Sequence, residues 1–144
     1  MKDFINWDAE KGIATCTLIA PDGTTITKTA QCAEEDQDMM SEKTGCTIAQ
    51  MRATIALSKH IRDYIIKPEL YALKNFLHNI EQSPKYNPNS YESKRLLHKI
   101  GKVENDLHEI QELIAQQRIE LSTYLKAKSH FYTAIRRLRK AKSN

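Results

Sequence analysis

From about Asn89 to Leu138 the chain repeats apolar residues every three and four positions. With Ile100 as a heptad a position, the a series reads Ile100, Leu107, Ile114, Leu121, Lys128, Ile135. The d series reads Val103, Ile110, Gln117, Tyr124, Phe131, Leu138, so only Gln117 and Lys128 interrupt an apolar seam. A stripe of this length predicts one long helix buried against partner helices in the manner of a coiled coil. Gly101 is the one weak position and costs about 1 kcal/mol relative to Ala. At 1.5 Å per residue such a helix extends about 75 Å.

A shorter helix is predicted upstream. Thr47 and Gln50 form a capping box before Ile48, Met51, Ile55, Ile61 and Ile65, and the pattern resumes at Ile66, Leu70, Leu73, Leu77 and Ile80. Pro68 lacks an N–H and crowds the carbonyl of Tyr64, which predicts a kink there. This helix, about 50 Å long by the same rise, is shorter than its partner. The rest of the seam is expected to find its cover in another copy of the chain.

The N-terminal part reads differently. Ile13–Ile19 and Thr24–Ala30 are rich in β-branched residues and flank Pro21-Asp22-Gly23, a strong turn signal. Asn6-Trp7-Asp8 is expected to add only a short edge or cap. The expected fold class is therefore α+β: a small N-terminal antiparallel β-hairpin or sheet, then a long antiparallel two-helix hairpin, oligomeric. Its single domain would run as a β-rich head and acidic connector over 1–45, a helix over 46–83, a loop over 84–89 and the long helix over 90–141.

Composition excludes little but sets limits. The formal charge of +4, from 22 Lys and Arg against 18 Asp and Glu, is mild. It suits an anionic ligand better than a nucleic-acid polymer. No apolar run approaches the roughly 20 residues that cross a membrane, and the first residues lack the apolar core of a signal peptide; a cytoplasmic location is expected. Cys16, Cys32 and Cys46 lack the close pairing of a zinc site and read as free thiols. The acidic stretch Glu34–Asp38 lacks the alternating ligands, Gly and closing Glu of a calcium loop. His60, His78, His98, His108 and His130 are scattered over the helices, and Asn105 stands where a Glu-x-x-His pair with His108 would need Glu. No phosphate-binding Gly-rich loop or nucleophile motif occurs. Neither catalysis, nor a metal, nor a cofactor is expected.

The loop and the start of the second helix carry the chemistry. Pro84, Pro88 and Ser90 end one helix and begin the next, with Asn89 or Ser90 as N-cap and Glu92 suited to the first turn. That structural reading leaves Lys85, Tyr86, Asn87, Tyr91, Lys94 and Arg95 unexplained. Rings, amides and cations beside a helix N-terminus match a nucleotide's needs for stacking, edge hydrogen bonds and phosphate donors. The basic run Arg136–Lys142 complements the negative end of the helix dipole. It leaves open a nucleic-acid-binding protein using that end, and the seam leaves open a structural or adaptor coiled coil.

Several stretches together resemble the phage-encoded Thoeris anti-defence 1 family of signal sponges. They are Trp7-Asp8, Lys11–Cys16, Thr29–Cys32, Met40-Ser41-Glu42, Gly45–Ala49, Arg52-Ala53, Lys59–Asp63, Lys67–Leu70 and Tyr86–Glu92, in the same order along the whole chain. The resemblance implies a protein acting in the host bacterial cytoplasm that binds TIR-derived cyclic ADP-ribose isomers and sequesters them intact. It implies dimers that assemble into hexamers, pockets between subunits, and separate sites in some members for cyclic di- or trinucleotides. Under it Lys28 and Arg95 become phosphate partners, and the expected ligand-binding set is Lys28, Phe76, Lys85, Tyr86, Asn87, Asn89, Tyr91, Lys94 and Arg95.

Overall fold

The structure, a computed structural model, describes residues 3–31 and 41–143. Cys32 and the acidic stretch Glu34–Asp38 lie outside the described residues. The chain is α+β and mostly helical. Its order is β1 (Asp3–Asp8), β2 (Ile13–Ile19), β3 (Thr25–Gln31), α1 (Glu42–Ile61), a π-turn over Arg62–Ile66, α2 (Lys67–Glu81) and α3 (Tyr91–Ser143). Two compact units divide these elements. One joins Met1–Leu57 to Ala115–Asn144; the other is Ser58–Ile114.

In the first unit the strands form an antiparallel sheet in the order β1-β2-β3. The N-terminal residues thus supply an edge strand, as one of the two expected readings has it, but it begins at Asp3 and is longer than Asn6-Trp7-Asp8. Asp8 holds the reversal that pairs it with β2. Its side chain accepts hydrogen bonds from the backbone N–H of Glu10 and Lys11, both at 3.1 Å, and the Gly12 N–H closes on the Asp8 carbonyl at 2.8 Å. Gly12, at φ 65°, takes the left-handed conformation the reversal needs. Gly23, at φ 88°, does the same between β2 and β3, where Asp22 Oδ1 accepts from the Thr24 N–H.

Alternation along β2 buries Ala14, Cys16 and Leu18 on one face and sends Ile13, Thr15 and Thr17 to the other. Thr17 and Thr27, opposite each other, share a hydroxyl hydrogen bond of 3.0 Å on that second face. The unit's buried core combines Ala14, Cys16, Leu18, Ala20 and Ala30 with Ile48, Ala49, Ala53, Ile55 and Leu57 of α1. Arg52 ties the layers together by donating from Nη1 to the Thr29 carbonyl at 3.0 Å. Cys46, partly buried, is a free thiol. Burial, aided by the charge of Glu42, pushes the Cys46 thiol up from its ordinary value.

Helix α1 begins at Glu42, earlier than the capping box at Thr47 predicts. Ser41 is the true cap: its Oγ accepts from the Thr44 N–H at 3.0 Å. Thr47 instead lies inside the helix and donates its hydroxyl to the Lys43 carbonyl at 2.7 Å. Two candidate caps six residues apart compete locally, and burial of Thr44 and Ile48 favours the earlier one.

The irregularity expected at Pro68 takes the form of a π-turn just ahead of it. The Lys67 N–H reaches back to the Arg62 carbonyl, five residues away, and Pro68 falls in the first turn of α2 where its missing N–H is not needed. Inside the π-turn, Arg62 grips Asp63 through Nε at 2.8 Å and a second guanidinium N–H at 3.2 Å, while Lys67 adds a 3.4 Å contact. The Arg62 hydrogen bond, then Lys67, holds the Asp63 carboxyl below its ordinary value. A depressed carboxyl stabilises the fold above its unfolded pKa, near 4, and that contribution is lost as pH falls through the lower folded value. The fall in urea midpoint between pH 6 and pH 3 should therefore be smaller in Asp63→Asn than in the wild type. Because Asp63 is partly exposed, the difference is modest. Equal falls in the two proteins would show that the pair does not stabilise the fold.

The second unit packs Leu70 of α2 against Ile100 and Val103 of α3, with Ile66, Leu73, Leu77, Leu96 and Leu107 around them. Lys74 and Glu104 add an exposed ion pair at 3.8 Å. From Ser93 to Lys128 every a and d position of α3 is buried or half-buried, and Leu125 is the only other residue that is. The heptad assignment therefore describes the covered stripe of the helix. Its consequence needs correcting. The C-terminal part of the seam was expected to lack cover within the chain, yet Ile114 is buried and Gln117, Leu121, Tyr124 and Lys128 are half-buried in a single copy. Residues from Ala115 onward belong to the compact unit of the sheet and α1, a grouping that helix lengths alone could not show. Only Phe131 and Leu138, 50% and 59% exposed, remain open d positions. Lys128 sits within 5.6 Å of the Tyr124 ring centroid and 5.8 Å of that of Phe131, a cation–π arrangement that keeps its charge in the seam. Gln117 Oε1 is buried without a hydrogen-bond partner.

Candidate ligand groove

In the Ser58–Ile114 unit, α2 and the first turns of α3 enclose an open groove of about 470 Å³. Leu73 and Phe76 line it from α2; Tyr91, Glu92, Arg95, Leu96 and Lys99 line it from α3. The local sequence explains the α3 side. Glu92, Arg95, Leu96 and Lys99 stand at i, i+3, i+4 and i+7, which places them on one helical face. Leu73 and Leu96 belong to the apolar cluster beneath and form a floor. Phe76 and Tyr91 stand above it, 58% and 73% exposed. Large rings left this open beside an apolar floor gain by being covered.

The turn before α3 holds this start in place. Ser90 is the N-cap, accepting from the Ser93 N–H at 3.2 Å. Ser93 Oγ donates to the Asn87 carbonyl at 2.9 Å, and Asn87 Oδ1 accepts from the Asn89 N–H at 3.0 Å. With the cap built from serines and an asparagine, the charged residues of the first turns are not consumed by it. Among the described residues, the side chains of Glu92, Arg95 and Lys99 form no ion pair or hydrogen bond, although they share a face.

Of the residues expected to bind ligand, the groove brings together Phe76, Tyr91 and Arg95. Lys85, Tyr86, Asn87, Asn89 and Lys94 are not among its lining residues. Asn87 is occupied by the turn, through both its carbonyl and its side-chain oxygen. Asn89 supplies a backbone N–H to that turn and is not the cap. Lys94 follows Glu92 by two residues, which in a helix of 3.6 residues per turn is close to the opposite side. Lys28 belongs to the other unit, where it stands opposite Cys16 on the edge strand β3, exposed. A lysine there also discourages pairing of the open edge with another chain.

Leu73, Glu92, Leu96 and Lys99 were not expected as lining. The i, i+3, i+4, i+7 stripe beginning at Glu92 was the available signal, obscured because Leu96 reads as core and Glu92 as a first-turn charge. Chemically the groove offers an apolar floor, two stacking faces, two cations and one carboxylate. Comparison of the chain with protein-family models, curated proteins and solved structures yields no match. Among the described residues no helix is long and apolar enough to cross a membrane, and no three His, Cys, Asp or Glu side chains gather as a metal site would require.

Proposed function

We propose that this protein binds and sequesters cyclic ADP-ribose-type signalling nucleotides made by a TIR-domain enzyme, without cleaving them. It thereby acts as a phage anti-defence sponge in the host bacterial cytoplasm. The observation that carries the reading is the convergence of Phe76, Tyr91 and Arg95, with Lys99, around one groove. Base rings stack on exposed aromatic faces, and a diphosphate takes hydrogen bonds from an unpaired guanidinium and ammonium. Support also comes from the sequence resemblance, which runs along the whole chain.

A sponge needs affinity, not turnover. A Kd near 1 nM corresponds to about −12 kcal/mol, and a preformed groove on helices keeps the ordering cost low. In this reading α2 and the first half of α3 make an antiparallel helical hairpin. Copies of the chain associate through the open end of the α3 seam, where Phe131 and Leu138 are exposed. A dimer built this way can assemble further into a hexamer, and cyclic di- or trinucleotides are the second ligand class to test.

Isothermal calorimetry with cyclic ADP-ribose isomers, followed by heat release and mass analysis of the ligand, tests the proposal. Binding below micromolar concentration with recovery of unaltered ligand is the expected result. Recovery of a cleaved product, or no heat at micromolar protein, overturns it.

A further inference from the structure

We infer that Glu92 is the specificity-determining residue of the groove: its carboxylate accepts hydrogen bonds from free ribose hydroxyls of the bound nucleotide and repels a phosphate at that position. The inference rests on the nucleotide reading above and extends it to a discrimination that reading does not contain.

Glu92 is the only carboxylate among the lining residues. A groove that served anions alone would gain from its absence, because it lowers the positive potential that Arg95 and Lys99 create. A capping box does not account for it. In a capping box the glutamate sits three residues after the cap, but here that place is held by Ser93, whose hydroxyl bonds to the Asn87 carbonyl. Nor does Glu92 neutralise its neighbours, since it pairs with neither Arg95 nor Lys99. An ionised carboxylate is an acceptor only, with two oxygens side by side. The two hydroxyls of a ribose are two donors side by side. Dinucleotide-binding folds use the same pairing, an acidic residue on the ribose hydroxyl, and replace it with an arginine where a 2′-phosphate must be accepted. Arg95 and Lys99, at the next positions of the same stripe, remain free for the phosphates.

The bland account of Glu92 is a favourable charge in the first turn of a helix. The two accounts differ in what they say of ligand selectivity. Three probes separate them by calorimetry: cyclic ADP-ribose, its 2′-deoxy analogue and its 2′-phosphate analogue. The wild type should bind the first at least about 10-fold more tightly than the other two, the loss expected when a hydrogen bond to a charged group is removed. In Glu92→Gln, cyclic ADP-ribose should weaken about 10-fold, the 2′-deoxy analogue, which keeps only its 3′-hydroxyl, should weaken less, and the 2′-phosphate analogue should tighten, so the preference narrows. Phe76→Ala, measured in parallel, should weaken all three alike. Unchanged discrimination in Glu92→Gln, with cyclic ADP-ribose still bound, overturns the assignment and leaves the nucleotide reading standing. Failure of the wild type to bind any of the three overturns both.

Discussion

Replacing Phe76 and Tyr91 together by Ala lowers affinity for cyclic ADP-ribose by at least about 30-fold while leaving helix content unchanged. Stacking of a base on an aromatic side chain contributes about 1–3 kcal/mol by alanine substitution. Two such faces amount to roughly 2–6 kcal/mol, and each 1.4 kcal/mol is a factor of ten. Neither ring supports the core, since both are largely exposed, so the loss falls on binding and not on folding. Titration calorimetry gives the affinity and far-ultraviolet circular dichroism the helix content. A double variant within threefold of the wild type would remove the aromatic pair from the site. A variant that lost helix would show that the rings brace the turn at Ser90.

The largest expected effect on stability belongs to Ile100→Ala, about 2–5 kcal/mol. Ile100 is 5% exposed and, with Leu70 and Val103, forms the centre of the cluster on which Leu73 and Leu96 lie. Truncating it opens a cavity that α2 and α3 can close only by shifting, and a shift moves the groove floor. Stability and binding should therefore fall together. Against a total stability of about 5–15 kcal/mol for a domain of ordinary size, the loss is plain in a urea melt followed by circular dichroism. Leu97→Ala is the matched control: the same helix, but 47% exposed. Equal losses in the two variants would place the buried seam elsewhere on α3.

Much of this was legible in the residues, for reasons particular to each element. The heptad stripe of α3 was legible because a helix buried on one side must repeat its apolar residues at the helical period, and nothing else produces that pattern over so many turns. The β2–β3 turn was legible because Pro21-Asp22-Gly23 encodes its own backbone geometry. β1 was legible only as a short edge or cap at Asn6-Trp7-Asp8; its start at Asp3 and the role of Asp8 as the acceptor for two backbone N–H groups emerge only when the reversal has formed. The start of α1 was misplaced for a similar reason, since Thr47 is as good a cap as Ser41 until burial chooses between them. Pro68 announced an irregularity but not its kind. A π-turn and a kink both relieve the same clash, and the Arg62–Asp63–Lys67 charges accompany the first.

The expected ligand residues divided along the same line. Tyr91, Arg95 and Phe76 meet in the groove; Asn87 and Asn89 are absorbed by the turn; Lys94 faces away from Glu92 by helical geometry. Chemical type alone could not separate them, because an asparagine that caps a turn and one that reads a base look alike in a sequence.

The long seam, then, was determined by local periodicity: which side of α3 is buried follows from residue spacing without knowledge of its partner. What covers that side was decided by the tertiary structure alone. α2 covers the first half, while the second half belongs to the unit of the sheet and α1, where Gln117, Leu121, Tyr124 and Lys128 are already half-buried in one copy. Periodicity is a property of a single helix, whereas cover depends on contacts between residues far apart in the chain. Only the second kind of information brought Phe76 across to Tyr91 and Arg95 and made a groove of them.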